Sequence, residues 1–206
     1  MGRTAKYSEQ DMLDAALELI AEDGAHAATA VAVAKRLGAP SGSIYHRFPS
    51  RDLLVATLWV RTVQRFQRGF LDALASPDPR IAAERAVRHT LDWSTAHPTE
   101  AKLLTRHRRE DLIALWPDEL GEELRTLNDD VARAVRGFAA ARFERVDSAT
   151  LGRTRLALID FPYSAARLII REAAQPPWLM RSVLAASAAV LDADADASAG
   201  DDGAAA

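Results

Sequence analysis

Apolar residues recur at helical spacing along almost the whole chain, and runs of alternating apolar and polar residues bounded by turns are missing. The first such segment places Met12, Leu13, Ala16, Leu17 and Ile20 on one helical face. Spacings of three and four residues bring side chains to the same side of an α-helix, whereas a strand requires alternation. The sequence therefore predicts an all-α fold of about nine helices.

Capping residues, glycines and prolines divide the apolar pattern into separate helices. Ser8, Thr29 and Ser50 each precede an apolar run and carry a hydroxyl that can accept a hydrogen bond from a backbone N–H, so each is predicted to begin a helix. Gly24 and Gly38 are predicted to end the first two helices. The predicted helices cover residues 8–24, 29–38, 41–48, 51–74, 81–96, 99–106, 120–142, 148–174 and 178–191. Apolar spacing resumes directly after Pro162, which predicts a kink there and not a helix end.

The composition excludes several classes of protein. The chain has 206 residues, of which 49% are hydrophobic and 27% charged, which is sufficient for a buried core. It contains no cysteine, which excludes a disulfide framework, a thiolate metal site and a cysteine nucleophile. It has no run of about 18 consecutive apolar residues and no secretory-type leader. These features predict a cytoplasmic protein that does not bind a membrane.

The charge is distributed unevenly along the chain. The net charge is −3, but residues 192–206 contain five Asp and no basic residue, so the remainder has 26 basic and 24 acidic residues. This tail of Asp, Ala and Gly is predicted to be disordered. The segment 24–51 contains Lys35, Arg36, Arg47 and Arg51 and no acidic residue. It is predicted to form a local positive patch of the kind found in nucleic-acid-binding proteins.

Residues 29–48 have the pattern of a helix-turn-helix. Two short predicted helices are joined by a tight turn that contains Gly38, and Ala34 is small enough to lie where the two helices cross. Ile44 and Phe48 are four residues apart and are predicted to face the core. The side chains left to face outward are Ser43, Tyr45, His46 and Arg47. The second helix is therefore predicted to enter the DNA major groove.

The residues of this second helix fit contacts with DNA. Ser41, Gly42 and Ser43 lie at its start, where small side chains let a phosphate approach the backbone N–H groups, and Ser41 is predicted as the cap. Ser43 can also reach a base edge. Tyr45 and His46 can bind phosphate oxygens or pack on a thymine methyl, and Arg47 and Arg51 add positive charge.

Residues 8–58 resemble the N-terminal DNA-binding domain of the tetracycline-repressor (TetR) family. The segments "MLDAALELIAEDG", Thr29, "VAKRLG" and "GSIYHRFPSRDLL" follow the family's three-helix pattern in order and spacing. The resemblance implies DNA contacts at Thr29, Ser41, Gly42, Ser43, Tyr45, His46 and Arg51. Many relatives have Ser-Lys where this chain has Pro40 and Ser41, so one positive contact is absent here.

The resemblance also implies the organisation of the whole protein. Residues 1–50 are expected to form the DNA-binding domain, 51–191 a larger helical bundle for ligand binding and dimerisation, and 192–206 an acidic tail. The implied protein is a homodimeric repressor that binds double-stranded DNA at a palindromic operator and responds to a small-molecule effector. The last two helices, 156–170 and 178–191, are apolar on more than one side and are expected to form the dimer interface.

The larger bundle offers residue types that line apolar ligand pockets with a few polar anchors. The candidates are His89, Trp93, His97, Trp116, Asp160 and Tyr163. The first three share one face of a predicted helix, and Asp160 needs a partner because the helix around it is apolar. Neither a metal site nor a cofactor is predicted.

Two alternative functions remain at the level of the sequence. The bundle could serve only to dimerise the DNA-binding domains, without an effector. A small helical enzyme could use His89, His97 and Asp160 as acid–base groups. The enzyme is disfavoured because the chain lacks a Gly-rich phosphate loop, a nucleophile elbow and a cysteine, so no enzymatic activity is predicted.

Overall fold

The computed structural model describes residues 7–106 and 119–193, and within these ranges the chain contains helices and no strand. The α-helices are α1 (Glu9–Asp23), α2 (Ala30–Leu37), α3 (Ser41–Arg47), α4 (Arg51–Leu74), α5 (Pro79–Ala96), α6 (Pro98–Arg106), α7 (Gly121–Thr126), α8 (Asp129–Phe143), α9 (Ser148–Arg155), α10 (Phe161–Glu172) and α11 (Leu179–Asp192). A 3-10 turn, Ala25–Ala27, follows α1, and a π-helical turn, Leu156–Asp160, joins α9 to α10. The all-α prediction is confirmed. None of the described helices is long and apolar enough to cross a membrane.

The chain divides into two compact units. The first contains Met1–Gly69 and Trp93–Val131, and the second contains Phe70–Asp92 and Ala132–Ala206, so α4, α5 and α8 each contribute to both. Residues 1–50, predicted as one domain, fall within the first unit, where the first turns of α4 share the core of α1, α2 and α3. The functions assigned to the two predicted domains stay predictions, and residues 194–206 of the predicted acidic tail lie outside the described residues.

Side-chain caps begin helices where the sequence predicts them. The Ser8 hydroxyl accepts a hydrogen bond from the backbone N–H of Asp11 (3.2 Å), and the Asp11 carboxylate accepts one from the backbone N–H of Ser8 (2.7 Å). Bonding to this N–H and to the Ser8 hydroxyl lowers the pKa of Asp11 below its ordinary value. Thr29 and Ser50 likewise accept a bond from the backbone N–H three residues later, at 3.1 and 3.0 Å. All three predicted caps are confirmed.

Glycines end the first two helices in the conformation that favours glycine. Gly24 has φ of +87° and Gly38 has φ of +63°, both in the region that other residues adopt at a cost. After Gly38 the backbone N–H of Ala39 returns to the carbonyl of Ala34 (2.9 Å), and Ala34 is buried at the helix crossing as predicted. The Tyr7 hydroxyl donates to the Gly38 carbonyl (3.1 Å) and ties the start of the described chain to this turn.

The third helix begins differently from the prediction. Pro40, and not Ser41, occupies the cap position in an extended conformation, and Ser41 is the first helical residue. The Ser43 backbone N–H and the Ser43 hydroxyl both donate to the Pro40 carbonyl oxygen, at 3.0 and 2.6 Å. The fixed φ of proline suits this extended position, and its carbonyl closes the first turn of α3 without a side-chain cap.

Two other helix boundaries differ from the predicted ones. α5 starts at Pro79, two residues before the predicted start, because the Asp78 carboxylate accepts the backbone N–H two residues later (2.8 Å). Proline is tolerated there because the first helical residue has no N–H partner within the helix. The predicted single helix 120–142 is two helices, α7 and α8, separated by a turn in which Asn128 accepts a hydrogen bond from Gln67 of α4 (2.9 Å).

In the second unit the helical path continues through Pro162, as predicted. The π-helical turn lies directly before it and gives way to α10 at Phe161. Because proline lacks an N–H and its ring collides with the carbonyl four residues earlier, a wider turn relieves the conflict. The Ala157 carbonyl within the π turn accepts a hydrogen bond from the buried Ser187 hydroxyl of α11 (2.7 Å).

The end of α11 is held by an arginine from α9. The Arg153 guanidinium donates to the Val190 carbonyl at 3.0 and 2.9 Å, to the Leu191 carbonyl at 3.2 Å and to the Ala193 carbonyl. It also lies 4.8 Å from the ring centre of Phe143. The last carbonyls of a helix have no partner within it and carry partial negative charge, so a guanidinium is well suited to this position.

Arg153→Met is expected to lower the free energy of unfolding by about 2 kcal/mol, because it removes charge-assisted bonds to several helix-end carbonyls and keeps most of the aliphatic stem. Urea denaturation followed by circular dichroism measures this. Arg167→Met, at an exposed position of α10, is the matched control and should leave stability unchanged. Equal midpoints for the two variants would show that the capping bonds do not stabilise the fold.

Candidate nucleic-acid interface

The third helix presents a polar face that is fixed by two buried anchors. Ile44 is fully buried and Phe48 is 3% exposed, whereas Tyr45 is 49% exposed and His46 and Arg47 are also exposed. The two anchors are four residues apart, so both point into the core of the first unit and force the residues between them outward. The predicted orientation of α3 is confirmed.

The start of α3 is open to an approaching ligand. Ser41, Gly42 and Ser43 are all exposed, and a Cβ atom added at Gly42 would meet no atom within 4 Å. The Ser43 hydroxyl proton is already donated to Pro40, so its oxygen is left to accept a bond, for example from a base amino group. The Thr29 hydroxyl accepts the N–H of Ala32 and keeps its proton for a phosphate oxygen.

Acidic residues from α1 compensate two of the four cations of the predicted positive patch. Arg36 pairs with Glu18 (3.1 Å) and with Glu22 of α1, and the hydrogen bond from Arg36 lowers the pKa of Glu22. Arg47 pairs with Glu9 of α1 (2.8 Å). The segment 24–51 contains no acid of its own, so its sequence does not reveal this neutralisation.

The other two cations of the patch differ from each other. Arg51 donates to the Ala25 carbonyl (2.6 Å) and to the Asp52 carboxylate (3.1 Å), so it also holds the 3-10 turn in place. Lys35 has no ion-pair partner in the described part of the chain. Any phosphate contact by Arg47 or Arg51 must therefore compete with an existing bond.

Glu9→Gln is expected to raise the affinity for DNA, because it releases Arg47 to interact with a phosphate. One additional phosphate contact makes the negative slope of log K against log salt concentration steeper by about 0.9. Fluorescence anisotropy on a DNA duplex between 50 and 200 mM salt, as rough limits, measures that slope. Asp14→Asn is the matched control, since it breaks the ion pair of Asp14 with Arg61, whose side chain is only 12% exposed. Identical slopes for both variants would contradict a role for Arg47 in DNA binding.

Comparison with known proteins agrees with this geometry. Residues 12–58 match the family model of the bacterial regulatory proteins, tetR family. This chain carries the TetR-family DNA-binding domain. The matched residues run from α1 to the first turns of α4 and include the whole helix-turn-helix, so the domain binds DNA to regulate transcription. No curated protein sequence matches the chain.

Solved TetR-family structures share the fold over most of the chain. A TetR transcription regulator from Haloarcula marismortui ATCC 43049 has a TM-score of 0.68 and 14% identity, covering 89% of this chain and 96% of that chain. The regulator FadR from Bacillus subtilis in complex with stearoyl-CoA has a TM-score of 0.64 and 15% identity over 89% and 96%. The ketosteroid regulator KstR2 of Mycobacterium tuberculosis has a TM-score of 0.59 and 17% identity over 91% and 95%.

Two of the predicted ligand residues lie together in the first unit. The rings of Trp93 and His97 have centres 5.3 Å apart, and Phe66 packs edge-on against Trp93 at 5.2 Å. The His97 Nδ1 atom lies 3.1 Å from a carboxylate oxygen of Glu100, and Arg65 lies 2.7 Å from the other. Glu100 is buried at 5% exposure and was not among the predicted residues.

The buried position of Glu100 could not be read from the sequence. Its spacing of three residues from His97 was the only local signal, because Arg65 is 35 residues away in the chain. A buried carboxylate requires charged partners, and here one partner comes from α4 and the other from the junction of α5 and α6.

The remaining predicted ligand residues have separate environments. In the second unit His89 is half-buried on α5, Asp160 pairs with Arg155 (3.6 Å), and Tyr163 is 45% exposed. Trp116 lies outside the described residues. Of the three residues of the alternative enzyme, His97 belongs to the first unit, while His89 and Asp160 belong to the second. Among the described residues no group of three or more His, Cys, Asp or Glu could hold a metal ion. A ligand role for the predicted residues stays a prediction.

The second unit contains a half-open cavity of about 320 Å³ lined by residues of α5, α8 and α11. Its apolar wall includes Val87, Leu184 and Leu191, and its polar lining includes Arg80 and Arg142. None of the predicted ligand residues that the structure describes lines it. The cavity requires helices that are about a hundred residues apart in sequence, so no local pattern indicates it.

Proposed function

We propose that the protein is a homodimeric repressor that binds a palindromic DNA operator and releases it when a small effector binds. The observation that carries the proposal is the outward face of α3, which buried Ile44 and Phe48 hold in a fixed orientation. Rigid presentation of a polar helix face is what readout of base edges in the major groove requires. A repressor acts by occupying DNA, so no catalytic group is needed.

The last helices of the second unit support dimerisation. Ser182, Ala185 and Ala189 are exposed on α11 at spacings of three and four residues, so they form one face that permits close helix approach. Two large apolar residues, Tyr163 on α10 and Trp178 directly before α11, are 45% and 56% exposed. A two-fold interface at this surface buries them and presents two copies of α3 to half-sites about one DNA turn apart.

Two findings support response to an effector. FadR from Bacillus subtilis is solved with stearoyl-CoA, which is a small-molecule complex on the same fold. In this chain the second unit contains the cavity lined by Val87 and Arg142. α4 contributes to both units, and its Leu54 belongs to the same buried core as Ile44, so a ligand-induced movement of α4 acts on the DNA-binding helices.

DNA binding is tested by fluorescence anisotropy on the duplex upstream of the protein's own gene. Tyr45→Ala is expected to weaken binding at least about tenfold, corresponding to roughly 1.4 kcal/mol of lost phosphate or base contact. Arg85→Ala, which removes an exposed side chain of α5, is the control and should bind like the unmodified protein. Equal affinity of all three proteins would refute the assigned surface.

Dimerisation has its own test in light scattering coupled to size-exclusion chromatography. The unmodified chain is expected to elute with the mass of a dimer, and Trp178→Glu with the mass of a monomer, because the substitution introduces a charge at an apolar contact. A dimer that persists in Trp178→Glu would refute the proposed interface.

A further inference from the structure

The charged residues that line the cavity in the second unit are two arginines, Arg80 and Arg142, and two acids, Glu84 and Asp192, and the acids are paired. Of the charged groups in its lining, Glu84 pairs with Arg88 (2.8 Å), and Asp192 pairs with Arg142 (2.5 Å). Arg80 has no ion-pair partner for its side chain among the described residues. Two charged residues lie outside the lining, and their charges are opposite. Asp78 accepts a hydrogen bond from the Arg80 backbone N–H, and Arg153 donates to the last carbonyls of α11. A single uncompensated guanidinium favours an occupant with one negative charge.

Away from the two arginines, the described residues of the cavity wall are apolar and offer no free hydrogen-bond donor. Val87 is fully buried, Leu191 is 5% exposed, and both line the cavity together with Leu184. The one buried hydroxyl in the wall, that of Ser187, already donates to the Ala157 carbonyl (2.7 Å). An occupant must therefore place an apolar body against the wall and its charged group beside the arginines, which retain unused N–H donors.

From this distribution we propose that the cavity binds a small aliphatic monocarboxylate. Its carboxylate interacts with Arg80 and Arg142, and its hydrocarbon chain packs against Val87, Leu184 and Leu191. A guanidinium matches the two oxygens of a carboxylate, and the cavity volume lies at the lower end of the range for small-molecule sites. The inference deepens the proposed function, because it names the chemical class of the effector.

The test uses sodium octanoate and 1-octanol, two probes with the same chain length and different charge. Isothermal titration of the full chain is expected to show saturable binding of octanoate, with 1-octanol at least about tenfold weaker, since only octanoate gains the charged contact. Arg80→Gln should weaken octanoate binding and leave 1-octanol binding unchanged. Arg85→Gln, on the same helix and outside the lining, should change neither.

A second variant distinguishes binding in the cavity from nonspecific binding at the protein surface. Ala188 lines the cavity and is exposed, so Ala188→Trp fills the space with little expected cost to folding and should prevent binding of both probes. Absence of saturable octanoate binding overturns the proposal, as does equal octanoate affinity for the unmodified chain and Arg80→Gln.

The outcome for the site is distinct from the outcome for the proposed function. Octanoate binding that depends on Arg80 establishes the site whether or not it changes the affinity for DNA. If bound octanoate leaves DNA affinity unchanged, the effector role of the site is refuted while the site remains. If DNA binding is normal and octanoate does not bind, the monocarboxylate inference fails and the DNA-binding function stands.

Discussion

Gly42→Asp is expected to leave the protein folded and to reduce its affinity for DNA at least about a hundredfold, since juxtaposed like charges cost several kcal/mol. Gly42 is exposed at the second position of α3, and an added Cβ atom meets nothing within 4 Å. An aspartate in the first turn of a helix also interacts favourably with the helix dipole. The same carboxylate repels the phosphates of a duplex that approaches α3.

Gly42→Asn is the control for this substitution, because asparagine has the shape of aspartate without its charge. Circular dichroism and thermal melting should give the same fold and an equal or slightly higher melting temperature for both variants. Anisotropy titrations should show a loss for Gly42→Asp that is far larger than for Gly42→Asn. If the two variants bind DNA equally, Gly42 does not face the phosphate backbone.

Ile44→Ala is expected to lower the free energy of unfolding by about 3 kcal/mol, in the range measured for truncation of buried isoleucine. Ile44 is fully buried and anchors α3 to the core formed with Leu13, Val33 and Leu54. The neighbouring Tyr45 is 49% exposed, so Tyr45→Ala should leave stability almost unchanged while it weakens DNA binding. Of these two adjacent residues, Ile44 is thus expected to determine stability and Tyr45 to determine DNA affinity.

An osmolyte distinguishes the two causes of weak DNA binding. Trimethylamine N-oxide favours the folded state because it is excluded from the protein surface. It should restore DNA binding by Ile44→Ala, whose defect is the loss of folded protein, and should not restore binding by Tyr45→Ala, whose defect is a missing contact. Restoration of both variants, or of neither, would show that buried and exposed positions of α3 do not have these separate roles.

The parts of the interface that could be predicted from the sequence depend on neighbours within four residues. The caps at Ser8, Thr29 and Ser50, the turn at Gly38 and the outward face of α3 are all set by local hydrogen bonds or by helical spacing. The same reasoning failed at Ser41, because it gave the cap to a hydroxyl when the preceding proline carbonyl closes the turn.

The parts that could not be predicted depend on residues distant in the chain. Arg36 and Arg47 of the positive patch are neutralised by Glu9, Glu18 and Glu22, which reach them only because α1 packs beside α2 and α3. The break between α7 and α8 accompanies a side-chain bond to α4, and the burial of Glu100 requires Arg65. Helical periodicity contains no information about which helices meet, so charge pairing and cavities need the folded chain.

The π-helical turn before Pro162 links the number of residues between α9 and α10 to the orientation of α10. A π turn contains one residue more than an α turn, so it is equivalent to a single insertion within an otherwise regular helix. If all five residues of Leu156–Asp160 adopted α-helical geometry instead, the extra residue would rotate the whole of α10 by about 100° relative to α9. Exposed Tyr163 would then exchange sides with its buried neighbours. The π turn therefore determines which face of α10 is buried, because it accommodates a residue that would otherwise rotate the helix.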